Sequence, residues 1–177
     1  MAPWNIGGWN LFPLFGGDNG ISQTANAIKT AVAFAIRRPE IRKRAEYLTF
    51  NCPERDELCE VTRIMKWTEG HFRYVKDPVG LELVKSPEVA DAEIETQGRF
   101  QGDCDDATAY VSALLKSVGY NVRVVVIAVP GKGEQFRHIY PEVYLPGRRA
   151  WLALEMTAKQ RPIGWSAEAS RSRRYDL

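Results

Sequence analysis

The chain has 177 residues, 45% hydrophobic and 26% charged, with a net charge of +2. These are the values of a single soluble globular domain with one sizeable core. They give no polyanion-binding footprint, and no run reaches transmembrane length, so neither a nucleic acid nor a membrane is expected as a partner.

Residues 1–20 stand apart as an arm that mixes Trp4, Trp9, Phe12 and Phe15 with five glycines and two prolines. Gly and Pro oppose a regular helix there, and the aromatics oppose a plain solvated linker. The arm either wraps on its own domain or docks on a partner. Residues 21–177 read as one domain, with a helical part at 21–96, a core at 97–165 and a tail at 166–177.

Ile21, Ala25, Ile28, Val32 and Ile36 recur at helical spacing and predict a helix over 21–37, with Asn19 or Ser22 as its cap. Arg37, Arg38 and Pro39 end it, and a second helix begins after Pro39. A third helix is predicted from about Pro53 to Trp67 on the apolar face of Leu58, Val61, Ile64 and Met65. His71 to Val75 reads as a short strand and Asp77-Pro78 as the start of a loop. Residues 76–101 show no strong period and read as irregular, with one short helix near Ser86 to Ala92.

Three cysteines, at 52, 59 and 104, make an odd count without a Cys-x-x-Cys pair. That pattern suggests neither a disulfide framework nor a zinc site, and Cys52 and Cys59 read as buried or idle. A reducing compartment is the expectation. The N-terminus lacks the features of a signal peptide, so the expected location is a cytoplasm, unless the protein leaves it inside a larger particle.

From Cys104 to Val118, Ala107, Val111, Leu114, Leu115 and Val118 mark a helix that Gly119 closes. Asn121–Val129 is strongly β-branched and reads as a buried strand. Phe136–Leu145 and Ala150–Met156 follow as strands after tight turns at 130–133 and 146–149. A helix and three sequential strands imply an antiparallel meander with the helix packed on it. Pro141 places its strand near an edge or at a bulge. Arg171, Arg173 and Arg174, beside Asp176, read as part of a solvated tail.

Cys104 opens its helix, where free N–H groups and the helix dipole favour a thiolate and supply part of an oxyanion hole. His138 lies 34 residues on and Glu155 a further 17, on strands predicted to neighbour one another. A cysteine and a histidine oriented by a carboxylate suit nucleophilic acyl transfer. Asp103, Asp105 and Asp106 suit capping of the helix start but oppose a thiolate by like charge. The spacing lacks the alternating acids and closing Glu of a calcium loop, so no metal is expected. Tyr140, Glu142 and Tyr144 share the face of His138 by alternation and are candidates to line the cleft.

The stretches GDCDDATAYVSALLKSVGYNVRVVVIAV and RHIYPEVYLPGRRAWLALE, with the trailing Pro162-Ile163-Gly164-Trp165, resemble the transglutaminase-like core of the papain-like cysteine peptidase superfamily. The resemblance covers about residues 97–165 and is to the compact type found in bacteria and tailed bacteriophages. It implies an α+β fold, with the nucleophile helix packed on an antiparallel sheet and a helical N-terminal half. It also implies Cys104 as nucleophile, His138 as general base and acid, and Glu155 as the group that orients the imidazole. The family more often carries Asp followed by Pro-Thr at the last position, where this chain has Glu155-Met156-Thr157. A second oxyanion donor is expected shortly before the nucleophile, with Gln97 and Gln101 as candidates. The activity implied is hydrolysis of a peptide or isopeptide bond, or transamidation, on a protein or peptide substrate and without a cofactor. The alternative is a virion or assembly protein of a phage that keeps the fold and docks through residues 1–20.

Overall fold

The computed structural model describes residues 4–6, 9–13, 18–78, 81–131, 133–159 and 161–177. In chain order the elements are β1 (Trp4–Ile6), β2 (Trp9–Pro13), α1 (Asp18–Ala35), α2 (Pro39–Thr49), α3 (Glu57–His71), β3 (Phe72–Tyr74), β4 (Leu81–Lys85) and α4 (Pro87–Gln97). They continue with β5 (Phe100–Gly102), α5 (Cys104–Ser117), β6 (Val122–Ala128), β7 (His138–Leu145), β8 (Ala150–Ala153) and β9 (Arg171–Asp176). Parts of the predicted arm, Phe15 included, and Lys132 of the predicted turn lie outside the described residues.

The apolar period read for α5 buries nearly all of it, because α1, α2, α3 and α4 pack around it while β7 covers another side. Val118, then Gly119 at φ +98°, end it: Gly119 N donates to Lys116 O and Tyr120 N to Leu115 O. This is the paired closure that a left-handed glycine allows. The sheet behind α5 runs in the order β8-β7-β6-β9, all antiparallel. Along β6, Val122, Val124 and Val126 join the main core, while Val125 and Ile127 join a second cluster with Tyr140 and Ala153 on the opposite face. Burial on both faces explains the unbroken β-branched run.

Several expectations are corrected. The tail is not solvated strand-free chain: Arg171–Asp176 is β9, paired with β6 from Arg123↔Asp176 to Ala128↔Arg171. Its charges stay outside while its backbone completes the sheet; Arg171 and Arg173 lie over the Phe136 ring. Strand β7 is not at an edge, since β6 and β8 flank it. Tyr144 N donates to Asn121 O, and antiparallel alternation from that bond turns the missing N–H of Pro141 toward β8. Pro141 O accepts from Leu154 N one residue beyond the end of β8, so the proline coincides with the end of that ladder. Residues 76–101 are not mainly irregular either, as they hold β4, α4 and β5. Helix α1 begins at Asp18, which puts Asn19 and Ser22 inside it rather than at its cap. Helix α3 starts at Glu57 under the side chain of Asp56, which accepts the Cys59 N–H.

The arm's backbone lies on its own domain: β1 pairs with β2, and β2 pairs antiparallel with β4 from Trp9↔Lys85 to Pro13↔Leu81. Cys52 and Cys59 are neither idle nor separate but form a disulfide, with Cα atoms 5.8 Å apart. The turn after α2 and the first turn of α3 bring them within bridging distance, which sequence spacing alone does not reveal. The reading of a reducing compartment thereby loses its support. Serine at both positions should lower stability by about 2 kcal/mol, as expected for a short closed loop. Urea unfolding of native and variant protein measures it, and equal midpoints would refute a stabilising role.

No helix among the described residues is long and apolar enough to cross a membrane.

Candidate functional site

The start of α5 is organised by the sequence Gly-Asp-Cys-Asp-Asp. Asp103 is the N-cap and accepts the Asp105 N–H at 3.2 Å; Asp106 reaches back to accept the Asp103 N–H at 3.1 Å. This reciprocal arrangement is a capping box. The other oxygen of Asp106 accepts the Lys85 N–H at 2.6 Å, which ties the helix start to β4. Gly102 makes room for it, because a Cβ there would sit 2.0 Å from Asp106 Oδ2. Oxygens of Asp103, Asp105 and Asp106 lie within 4.8 Å of one another; the bonds just described engage those of Asp103 and Asp106 with backbone donors.

Cys104 is therefore the first residue of the helix. Asp105 N and Asp106 N are held by side-chain oxygens, and Ala107 N donates to Asp103 O. Cys104 N has no acceptor among the described residues. The thiol is half-buried and is the free cysteine of the chain. Burial, and next the Asp103 carboxylate, push it well above the ordinary thiol value, against a hydrogen bond from the Ile139 backbone. The like charge expected from sequence acts in the same direction as burial, which is the larger cause.

His138 opens β7 and Ile139 follows it. The Thr108 hydroxyl lies 2.7 Å from Cys104 O and 3.5 Å from Ile139 O, which joins the start of the helix to the start of the strand. His138 Nε2 is 2.5 Å from Glu155 Oε2. Glu155 lies two residues past β8, not on the strand, and is only 2% exposed. Its second oxygen accepts the Thr157 N–H at 2.8 Å and the Thr157 hydroxyl at 2.6 Å. Burial alone would raise Glu155, but the His138 bond and charge, with the two Thr157 donors, bring it below the ordinary carboxylate value. The extra methylene relative to Asp is taken up in a fully bonded carboxylate.

The remaining candidates fall elsewhere. Tyr140 is buried behind His138, the ring centroids 5.9 Å apart, and its hydroxyl bonds to Ser166. It backs the imidazole rather than lining an open cleft. Glu142 pairs with Arg123 at 2.6 Å, and Tyr144 packs on Trp151 at 5.4 Å. Gln97 and Gln101 both line a pocket of about 330 Å³ with Asp77, Lys85, Glu93 and Asp106. Among the described residues Cys104 is not part of that lining.

Sequence reasoning missed Tyr74. Strands β3 and β5 pair in parallel with Tyr74 opposite Gly102, and Val75 N donates to Gly102 O at 2.7 Å. The phenol thus sits beside the helix start. It is raised to about 12, by partial burial first and then by the charges of Cys104, Asp103 and Asp105. It keeps its proton and is a hydrogen-bond donor at neutral pH. An aromatic ending a short strand was visible in the sequence; its link to Cys104, through a non-local parallel pair, was not.

A central helix whose N-terminal cysteine abuts an antiparallel sheet defines an α+β domain of papain-like and transglutaminase-like architecture. The family model described as "Transglutaminase-like superfamily" matches residues 43–156, and the chain belongs to that superfamily. No curated protein matches the sequence. Among solved structures, a "putative cysteine protease" from Cytophaga hutchinsonii is similar at 14% identity and TM-score 0.49, over 96% of this chain and 63% of that one. A "putative protease" from Parabacteroides distasonis is similar at 13% identity and TM-score 0.48, over 70% of this chain and 26% of that one. A structure described as a TGase is similar at 12% identity and TM-score 0.40, over 88% of this chain and 37% of that one. The chain thus spans between about a quarter and two thirds of the length of these proteins.

Proposed function

We propose that the protein is a cysteine-nucleophile acyl-transfer enzyme that hydrolyses an amide bond of a protein or peptide through Cys104, His138 and Glu155. The observation that carries this reading is the His138–Glu155 bond at 2.5 Å, next to Ile139, whose backbone the Thr108 hydroxyl brings beside that of Cys104. A buried carboxylate that fixes one imidazole nitrogen leaves the other for proton transfer.

Because burial and Asp103 hold Cys104 as a thiol, the nucleophile forms as His138 takes its proton. The sulfur attacks the carbonyl and a carbon–sulfur bond forms. His138 returns the proton to the leaving amine as the carbon–nitrogen bond breaks. Water, deprotonated by the same imidazole, then cleaves the thioester and frees the acid and the thiol. An amine in place of water gives transamidation at the same site. Cys104 N–H and the Tyr74 hydroxyl are the donors for the developing oxyanion.

The test is to incubate the protein with a mixed peptide library, quench in acid and look for an acyl adduct on Cys104 by mass spectrometry. The adduct and peptide turnover are both expected, and both should vanish in Cys104→Ala. Turnover that survives this substitution would refute the reading. In Tyr74→Phe, kcat should fall about 10²-fold or more; an unchanged kcat would remove Tyr74 from the oxyanion site.

A further inference from the structure

Beneath Cys104 lies a group that neither the capping box nor the acyl transfer uses. Asp105 is 1% exposed. Its Oδ1 accepts the Asp106 N–H at 2.8 Å, while its Oδ2 is buried and has no donor among the described residues. What faces Asp105 is more carboxylate: Glu82 on β4, and Asp103 and Asp106 on its own helix. Glu82 and Asp103 are both within hydrogen-bonding reach of Asp105, but an Asp103 oxygen already accepts the Asp105 N–H. Glu82 Oε1 also accepts the Thr24 hydroxyl of α1 at 3.1 Å.

Two ionised carboxylates cannot hydrogen-bond to each other, and a buried oxygen without a donor is costly. One proton between them removes both problems. We propose that Asp105 is a positioning residue for the nucleophile and acts as a neutral carboxylic acid, sharing the proton on Oδ2 with Glu82 and so tying the start of α5 to β4 and, through Thr24, to α1. Asp105 is the better home for that proton than Glu82, because its Oδ2 is buried without a donor, whereas Glu82 has the Thr24 hydroxyl, shared with Gly20 O, beside it.

The surrounding titratable groups favour the same state. At the start of α5 they are Asp103, Asp106 and Cys104, the last held as a neutral thiol. From β4 come Glu82 and Lys85, and Lys85 is engaged by Glu93 and faces Asp106. From β3 and the segment after it come Tyr74 and Asp77. Glu155 reaches the cluster from the far side of Cys104. Cys104 and Tyr74 keep their protons, and among these described groups the carboxyls outnumber the one ammonium. Burial, and next the Asp106 charge, push Asp105 well above the ordinary carboxylate value.

The sign of the resulting linkage is fixed. A carboxyl raised in the folded state binds a proton that the unfolded chain releases, so its contribution to stability is full below about pH 4 and is lost as pH rises through its folded value. Asparagine keeps an oxygen for Asp106 N–H and an N–H for Glu82 without titrating.

The experiment is equilibrium urea unfolding of wild type, Asp105→Asn and Glu82→Gln from pH 5 to 9. Alkylation of Cys104 by iodoacetamide is followed in wild type, Asp105→Asn and Asp105→Ala. Relative to wild type, the Asp105→Asn folding constant should gain with rising pH, by up to about tenfold per unit. The Cys104 labelling rate should change in Asp105→Ala and return toward the wild-type rate in Asp105→Asn. A difference between Asp105→Asn and wild type that does not vary with pH would overturn the proposal. So would a pH-dependent gain confined to Glu82→Gln, which places the proton there. Stabilisation of wild type by millimolar Ca²⁺ or Mg²⁺ that Asp105→Asn abolishes would show a cation in place of the proton and also overturn it. Equal labelling in Asp105→Ala and wild type would refute the positioning role. The proposal concerns the nucleophile of the function inferred above, but these readouts need no substrate and stand or fall independently of turnover.

Discussion

Replacing His138 by alanine should slow peptide turnover by about 10²–10⁴-fold, the usual share of a positioned general acid–base group. The effect falls on His138 because it adjoins Ile139, whose backbone Thr108 links to that of Cys104. Its neighbours Asp103 and Glu82 raise its thiol rather than accept its proton productively. The substitution also removes a donor from Glu155, leaving one buried oxygen with nothing to bond while Thr157 still holds the other. A buried unsatisfied acceptor costs about 1–3 kcal/mol, so the melting temperature should fall together with the rate. Steady-state kinetics and thermal unfolding on the same preparation check both. A variant as fast as wild type would remove His138 from the mechanism, whatever happened to its stability.

Glutamine at 155 should have an effect of similar size by another route. The amide matches the carboxylate in shape but presents one acceptor and one donor, whereas Glu155 faces three donors: His138 Nε2 and the two groups of Thr157. Either the amide nitrogen meets a Thr157 donor, or it donates to His138 Nε2 and fixes the imidazole in the tautomer protonated on Nδ1, which cannot take the Cys104 proton there; in both cases the negative partner is lost. Loss of such an orienting carboxylate costs up to about 10⁴-fold in kcat in well-known cases. Stability offers an independent reading. Because Glu155 lies below its ordinary value in the folded state, its contribution is present above about pH 4.3 and disappears as pH falls through the folded value. The stability gap between wild type and Glu155→Gln should therefore close on acidification from pH 6 to 3. A gap that stays constant with pH would mean the carboxylate charge is not what the site uses.

The parts of the molecule legible in the sequence are those whose pattern is local. Helix α5 and strands β6 and β7 carry dense apolar or β-branched runs, and the meander follows from short turns, so the places of Cys104 at a helix start and His138 at a strand start were legible from the pattern. Glu155 was placed near its strand's end and stands just beyond it. What escaped notice was built from pairing rather than from apolar content. Helix α4 has few hydrophobic positions, because one of its buried residues is Asp91, bonded by Arg44 at 3.0 Å and by Tyr110 at 2.7 Å. Strand β9 is mostly charged, and only its backbone pairs with β6. The Cys52–Cys59 bridge depends on how two helices meet, and Tyr74 depends on a parallel pair formed across 28 positions of sequence.

That parallel pair has an architectural consequence. The Val75–Gly102 bond closes the intervening chain into an excursion whose two ends are stitched together at its base. Within this loop lie β4 and α4, while Tyr74 on one side of the stitch and Cys104 on the other keep their mutual placement through the stitch itself. The closure entropy of a loop grows only slowly with its length, about 0.6 kcal/mol per doubling. Insertions at the exposed Gly98 and Arg99, between α4 and β5, would therefore be tolerated at the nucleophile more readily than changes of one residue between Gly102 and Cys104. The excursion is the natural place for this scaffold to acquire new surface without redesigning its reactive end.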